Sequence, residues 1–441
     1  MTWLRRFHDG MVLGARAYAR WDISTSRRIL GDRRRLLALV LLLLPIALGG
    51  WAFAGEIGEA LPALLGGKQA YGPAHYTTAI FLASTAVGVV AGLITGCIGA
   101  GGGFIIAPAL MSAGVKGILA VGTDLFHIFA KAIMGSVLHR KLGNISVSLA
   151  SIFLVGSIGG ATLGGYVNRT LYEANPILSD AFITSIYVFI LGFLGFYGMA
   201  DYLRSRKARA LPSRPSKSGR KASAVEDTTG LARKLQAIHL PPMLSFDQGV
   251  VPGGRRISAV FLVMSGGLVG LAAAIMGVGG GFLTFPIFVY VLGVSSATTV
   301  GTDIFQIVFT AGYAGISQYA VYGFIFYTLA MGMLLGSLIG IQVGTLVTKV
   351  VPGPTIRGFY ALAVMSAFVN RVFALPGKLV GLEVLPISAD AARVVESAGM
   401  YTFFIVLGSF ALWVFWTFFT NVRTLKGEPE EVYAATEEIQ A

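Results

Sequence analysis

The chain has 441 residues, of which 55% are hydrophobic and only 12% are charged, and its formal net charge is +13 at pH 7. Soluble domains hold about 25% charged residues, so this composition excludes a soluble protein and indicates a polytopic membrane protein. Nucleic-acid binding is not expected either, because the excess positive charge lies in two segments, 1–35 and 201–256, that flank apolar spans.

Eight full membrane spans are predicted along the chain, because an apolar run of about twenty residues is long enough to cross a bilayer. The first, 36–54, follows the basic N-terminus 1–35 and is a first span or a retained signal anchor. A first repeat, 77–200, and a second, 257–375, are separated by the basic connector 201–256. The later spans are expected at 77–98, 145–168, 180–200, 257–276, 323–348, 355–375 and 400–420, before an acidic tail at 421–441.

The repeats are marked by a glycine cluster that occurs twice. Gly99-Ala-Gly-Gly-Gly-Phe104, with Pro108 and Gly122-Thr-Asp124, recurs as Gly277-Val-Gly-Gly-Gly-Phe282, Pro286 and Gly301-Thr-Asp303. The match continues through Gly156-Ser157 and Gly336-Ser337. A chain with such an internal repeat is a duplicated fold.

Each cluster begins an interrupted element, at 103–139 and at 282–318. Contiguous glycines break a helix, so we expect a short helix that ends near Lys116-Gly117 and a second helix that starts near Thr123. Thr or Asp would be the N-cap of this second helix. The two elements would be re-entrant hairpins that enter from opposite faces and bring these helix N-termini together near the bilayer centre.

Converging helix N-termini predict a site for a small anion, because free N–H groups and positive dipole ends attract negative charge. The expected substrate-binding residues are the clustered glycines and the polar residues that follow them: Gly99, Gly101, Gly102, Gly103, Thr123, Asp124, His127, Gly277, Gly279, Gly280, Gly281, Thr302, Asp303 and Gln306. The alternatives are helix packing for the glycines and helix capping for the aspartates.

The intramembrane carboxylates need a specific explanation. Asp303 is the only Asp, Glu, Lys, Arg or His between Ile257 and Thr348. An unpaired carboxylate at that depth is costly, so it caps a helix, is protonated or is paired. His127 and Lys131 follow Asp124 on one helical stripe, which allows an internal ion pair. Asp124, Asp303 and Lys131 are therefore candidates for proton coupling.

The basic residues also predict the orientation. Both termini and the connector are expected in the cytoplasm, and 55–76 and 376–399 outside. The first repeat then starts outside and the second inside, so the repeats are inverted, a common plan of secondary transporters. The connector is expected to be flexible, with a candidate interfacial helix at 231–240.

The tandem Gly-x-Gly-Gly-Gly-Phe and Val-Gly-Thr-Asp pattern resembles the sulfite exporter TauE/SafE family of membrane permeases, also called TSUP. The resemblance covers about residues 77–420 outside the connector. It implies transport of small sulfur-containing or organic anions, among them sulfite and sulfonates.

Two functions follow from these features. The first is a secondary permease of the inner (plasma) membrane, whose partners are a small anion and the bilayer, with no catalytic residue, cofactor or metal. The second is an intramembrane aspartyl peptidase, in which Asp124 and Asp303 share one proton. The symmetric glycine breaks favour transport, and the separation of the two carboxylates discriminates between the functions.

Overall fold

The protein is almost entirely helical in the computed structural model, which describes residues 78–98, 102–141, 145–210, 230–247, 254–348, 350–351 and 353–421. Within these ranges, seven helices are long and apolar enough to cross a membrane. They confirm the all-α polytopic fold and the seven spans predicted from residue 77 onward. The expected span at 36–54 lies outside the described residues.

The first repeat contains five helices. They are α1 (Thr78–Ile98), the short α2 (Gly103–Ser112), α3 (Gly117–Lys141), α4 (Val147–Ala174) and α5 (Pro176–Ala210). Asn175 alone joins α4 to α5.

The second repeat follows the same plan. Its helices are α7 (Ala259–Met276), α8 (Gly281–Pro286), α9 (Ser296–Tyr313), α10 (Tyr327–Val347) and α11 (Gly353–Gly381). The short α8 continues as a π-helical segment, Ile287–Leu292, and α9 continues as a second one, Ala314–Tyr319, and a 3₁₀ turn, Ala320–Tyr322. A final helix, α12, spans Ala389–Thr420.

Both interrupted elements are present, but the second helix of each begins earlier than expected. α3 starts at Gly117 and α9 at Ser296, so Thr123, Asp124, Thr302 and Asp303 lie inside helices. The prediction of Thr or Asp as N-cap is therefore wrong. The physical reason is that α3 extends toward its N-terminus through an apolar, buried stretch, Ile118 to Val121. At its start, the carboxylate of Asp180, which is distant in the sequence, supplies the cap.

The two repeats pack against each other reciprocally. α1 contacts α10, α4 contacts α7, and α5 contacts α11. Glycines make these contacts close: a Cβ added at Gly92 would lie 2.4 Å from the Ser337 carbonyl, and one at Gly270 would lie 2.1 Å from the Ser157 carbonyl. Close helix packing is therefore the role of these glycines, which lie outside the two clusters.

The described residues in the second half of the connector, 230–247 and 254–256, are folded. It contains α6 (Gly230–Ala237) and an antiparallel hairpin of β1 (Met243–Phe246) and β2 (Arg255–Ser258). The expected short helix is confirmed, whereas the expected flexibility is wrong for these residues. Their apolar side chains explain the difference, because Phe246 and Ile257 are buried in a core with helices of the second repeat.

Candidate functional site

The glycine clusters end in two matching helix starts. Gly102 precedes α2 with φ 72°, and Gly280 precedes α8 with φ 89°, a left-handed conformation that glycine adopts without strain. No side chain caps either helix. The Gly102 carbonyl accepts the Ile105 N–H, and the Gly280 carbonyl accepts those of Leu283 and Thr284. The N–H groups of the first two residues of each helix precede these bonds and are the ones that a ligand could use. Gly99 and Gly101 lie outside the described residues.

The two helix starts lie close to each other. A Cβ added at Gly103 would be 3.0 Å from the Val278 Cα in the glycine cluster of the other repeat. The rings of Phe104 and Phe282, one residue into each helix, have centroids 6.3 Å apart. The structure thus brings together the starts of α2 and α8, rather than the starts of α3 and α9.

A polar cluster on α3 lies beside this junction. His127 Nδ1 is 3.5 Å from an Asp124 carboxylate oxygen, and its Nε2 is 3.0 Å from Ser337 Oγ on α10. One turn further, Lys131 Nζ donates to Thr95 Oγ1 on α1 at 3.3 Å. The predicted stripe of Asp124, His127 and Lys131 is therefore confirmed as a spatial cluster.

Burial differs within this cluster. Asp124 and His127 are fully buried, whereas Lys131 keeps part of its side chain accessible. Lys131 interacts with Asp124 through its charge. Among the described residues, neither oxygen of Asp124 has a hydrogen-bond partner of good geometry. A buried carboxylate without such bonds is costly, so Asp124 is a functional candidate rather than a helix cap.

The equivalent cluster on α9 has no basic residue. Gln306 Nε2 donates to Asp303 Oδ1 at 2.9 Å, and Thr310 Oγ1 donates to Gln306 Oε1 at 2.7 Å. The Thr310 hydroxyl also lies 2.7 Å from Ser157 Oγ on α4. Gln306 and Thr310 thus occupy the positions of His127 and Lys131, and the site is asymmetric in charge.

Ser157 and Ser337 were not predicted as site residues. Each is contributed to a cluster by the opposite repeat, since Ser337 meets His127 and Ser157 meets Thr310. Their signal in the sequence was the repeated Gly-Ser pair, which placed one polar residue at the same position of two apolar spans.

The two threonines of the Gly-Thr-Asp motifs join the repeats. Thr123 Oγ1 accepts the backbone N–H of Phe326 at the start of α10, at 2.9 Å. Thr302 Oγ1 accepts the N–H of Ser146 at the start of α4, at 3.0 Å. Both hydroxyls therefore satisfy a helix start of the opposite repeat, a role that the sequence did not reveal.

Replacing Thr123 with valine is expected to lower the stability more than replacing Thr302. Phe326 is buried, so its N–H would be left unsatisfied at a cost of about 1–3 kcal/mol, whereas Ser146 is partly exposed and can bind water. Thermal unfolding in detergent checks this order. Thr170→Val is the control, because that exposed hydroxyl bonds only within its own helix; equal losses for all three variants would contradict the assignment.

Carboxylates already occupy the N-termini of α3 and α9. Asp180 on α5 accepts the Gly117 N–H at 2.7 Å. Asp247, after β1, accepts the Ser295 N–H at 2.8 Å, the Ser295 hydroxyl at 2.9 Å and the Thr298 hydroxyl at 2.5 Å. These helix ends are neutralised, so the expected anion site at the starts of the second helices is wrong.

Arginines bind the segments that precede α3 and α9. The fully buried Arg371 on α11 donates to the Pro108 carbonyl at 3.1 Å and to the Ser112 hydroxyl at 2.6 Å. Arg255 on β2 donates to the Gly293 carbonyl at 2.5 Å. Neither arginine was predicted as a site residue. Arg371 could have been, because a basic residue inside the predicted span 355–375 indicates a functional role.

These features define a polytopic membrane protein with paired broken helices and a buried polar site between two repeats. The family model described as "Sulfite exporter TauE/SafE" matches residues 84–371. The chain belongs to this family of membrane transporters, which confirms the predicted resemblance and the prediction that the protein is not an enzyme.

Curated relatives agree with this assignment. "Probable membrane transporter protein YjnA" of Bacillus subtilis (strain 168) is 22% identical over 59% of this chain and 87% of its own length. "Probable membrane transporter protein YunE" of the same organism is 23% identical over 63% and 91%. "Sulfite exporter TauE/SafE family protein 6" of Arabidopsis thaliana is 34% identical over 23% of each chain. No solved structure matches the chain.

The peptidase alternative is not supported. A catalytic aspartate dyad shares a proton across a direct hydrogen bond. Asp124 has no such bond within the described part of the chain, and Asp303 instead accepts from Gln306.

Proposed function

We propose that the protein is a secondary transporter of small anions, in particular sulfur-containing oxyanions or organosulfonates. One observation carries this proposal: the accessible Lys131 lies beside an uncapped helix start. Thr95 Oγ1 accepts from Lys131 and would be only 2.7 Å from a Cβ added at Gly102. The ammonium group of Lys131 and the uncapped start of α2 therefore both lie next to Thr95. An ammonium group and helix N–H groups together stabilise a compact anion.

The sulfur chemistry of the substrate is supported by similarity alone. The family description and the name of the Arabidopsis relative both specify sulfite export. A tetrahedral or pyramidal oxyanion presents several acceptor oxygens, which matches the donors available from Lys131 and the starts of α2 and α8.

The proposed route is alternating access between inverted repeats. Successive glycines of α4 meet successive residues of α7, as Gly156 meets Val263 and Gly160 meets Gly267, so these helices run in the same direction. α1 and α10 likewise run together, whereas α5 and α11 run in opposite directions. α5 and α11 are the equivalent helices of the two repeats, so their opposite directions support repeats of opposite orientation.

Proton coupling is the proposed role of Asp124 and Asp303. A negative carboxylate next to the anion disfavours anion binding, so protonation of the carboxylate would favour it. Anion and proton would then enter together. Asp124 supports this role because it is fully buried and its contact with His127 Nδ1 is long, at 3.5 Å. Asp303 supports it because it faces the start of α8, with an oxygen 3.1 Å from a Cβ added at Gly281.

The proposed orientation puts both termini and the connector in the cytoplasm, in the inner (plasma) membrane. A cysteine placed at Ser218 in a Cys97→Ser background is expected to react with a membrane-impermeant maleimide only after the cells are opened, because the basic connector stays inside. A cysteine at Lys68 is the control and should react in intact cells. Labelling of residue 218 in intact cells would contradict the orientation.

Uptake into proteoliposomes tests the proposed function. Sulfite, sulfate, sulfoacetate, chloride and neutral glycine should be offered with and without an inward proton gradient. The proposal predicts saturable uptake of one or more sulfur oxyanions or sulfonates, stimulated by the gradient, and none of glycine. Uptake of glycine without any of the anions would overturn it.

A further inference from the structure

A cavity of about 890 Å³ lies between α1, α2, the starts of α3 and α10, and α12, and no residue of the polar clusters lines it. Its wall is apolar except for Ser84 and Lys116. The Ser84 hydroxyl already donates to the Phe81 carbonyl within its own helix. Lys116 lies exposed in the turn after α2 and is the one charged residue among the described residues that line the cavity. The volume is within the range of about 300–1,000 Å³ that is typical of ligand pockets.

A comparison of the two repeats shows that smaller side chains in the first repeat leave this space open. Counted from the equivalent glycines Gly88 and Gly266, Ala83 and Ser84 correspond to Phe261 and Leu262. Counted from Pro108 and Pro286, Ala109 and Leu110 correspond to Ile287 and Phe288. At each of the four positions, the first repeat has the smaller side chain.

The corresponding space in the second repeat is filled. Leu262 and Phe288 are fully buried there, and Phe261 and Ile287 pack against them. Phe246 and Ile257 of the connector hairpin belong to the same core. One repeat therefore has a solid core where the other has a cavity lined by small residues.

The mouth of the cavity carries a basic residue that the second repeat lacks, although Asp180 binds the N–H of the neighbouring Gly117. The equivalent of Lys116 is Ser295, since Gly114 and Gly293 occupy the same left-handed position of the two turns. The Lys116 ammonium donates to the neutral Tyr172 hydroxyl at 3.1 Å and lies 5.6 Å from the centre of that ring. Among the described residues, no carboxylate lies within ion-pair distance of it.

We propose that this cavity binds one acyl chain of an anionic phospholipid, whose headgroup lies at Lys116. The apolar wall suits a hydrocarbon chain and disfavours a small hydrated anion. The walls belong to helices that present large apolar side chains at their surfaces, such as Leu82 on α1 and Ile405 on α12, as expected of surfaces that contact lipid. The site is separate from the transport site and does not depend on the transported substrate.

Native mass spectrometry of the full chain, purified in detergent and incubated with phosphatidylglycerol or phosphatidylcholine, tests this proposal. The wild type is expected to retain one phosphatidylglycerol per chain. The double variant Ala83→Phe with Ala109→Ile carries the side chains that fill the equivalent space of the second repeat. It should lower phosphatidylglycerol retention at least fivefold. Lys116→Ser should lower the preference for phosphatidylglycerol over phosphatidylcholine about fivefold, the effect of one basic residue near a headgroup.

The control is Val155→Phe, which adds the same kind of bulk on the exposed face of α4 and should leave retention unchanged. If the double variant does not fold, each single change is measured in the same way. Equal lipid retention by the wild type and the filled variants would overturn the proposal, as would a wild type that retains no phosphatidylglycerol. An unchanged lipid preference in Lys116→Ser would overturn the headgroup position.

Discussion

Replacement of Gly102 or Gly280 by leucine is expected to abolish transport while the protein still inserts into the membrane. Both residues have positive φ, so any side chain is strained by about 1–2 kcal/mol. A Cβ at Gly102 would also lie 2.7 Å from Thr95 Oγ1, the acceptor of Lys131, and one at Gly280 would lie 2.6 Å from a Val269 methyl. The substitution is therefore expected to move the helix starts that are proposed to bind the anion.

Two control glycines distinguish a specific loss of transport from general damage to the fold. Gly159 lies on α4 in open space and should tolerate leucine with normal transport. Gly114 has φ 88° but also faces open space, so Gly114→Ala isolates the backbone strain and should lower thermal stability only. Initial uptake rates, corrected for the amount of protein in the membrane, are the measurement. Normal uptake by Gly102→Leu and Gly280→Leu would show that the helix breaks serve packing alone.

Neutralising either aspartate is expected to uncouple transport from the proton gradient. Asn keeps the size of Asp and, at position 303, still offers an oxygen to Gln306, so the fold should persist. Because the amide carries no charge at any pH, the site no longer needs a proton before it binds the anion. Asp124→Asn and Asp303→Asn should thus exchange substrate across the membrane but lose the stimulation of uptake by an inward proton gradient.

Asp390→Asn is the control, since this exposed residue at the start of α12 pairs only with Arg393. It should keep the full stimulation by the gradient. If both intramembrane variants also kept it, the proposal of proton coupling would be wrong, whereas the anion site itself would be unaffected.

The helix breaks could be predicted from the sequence because they are local. Contiguous glycines disfavour a helix whatever surrounds them, and their recurrence fixed both interrupted elements. The starts of the second helices could not be predicted, because their caps are distant: Asp180 is 63 residues from Gly117, and Asp247 is 48 residues from Ser295. The local Thr-Asp pair resembled a cap, but its threonine instead caps a helix of the opposite repeat.

The candidate site was predicted only in part, because helical spacing is a local signal whereas contacts between distant helices are not. Helical spacing placed Asp124, His127 and Lys131 on one stripe, and the structure confirms this. Their partners come from other helices, since Ser337 lies 210 residues from His127 and Thr95 lies 36 residues from Lys131. The fold of the connector was missed because its few apolar residues are buried only by contact with the second repeat.

Exchange of radiolabelled sulfite across proteoliposome membranes, with sulfite on both sides and no gradient, tests the anion site at Lys131 most directly. Exchange does not require proton coupling, so it reports on the site alone. The proposal predicts exchange by the wild type, none by Lys131→Met, and a normal rate for Lys234→Met, which removes an exposed charge in the connector. Exchange by Lys131→Met at the wild-type rate would contradict the proposed anion site.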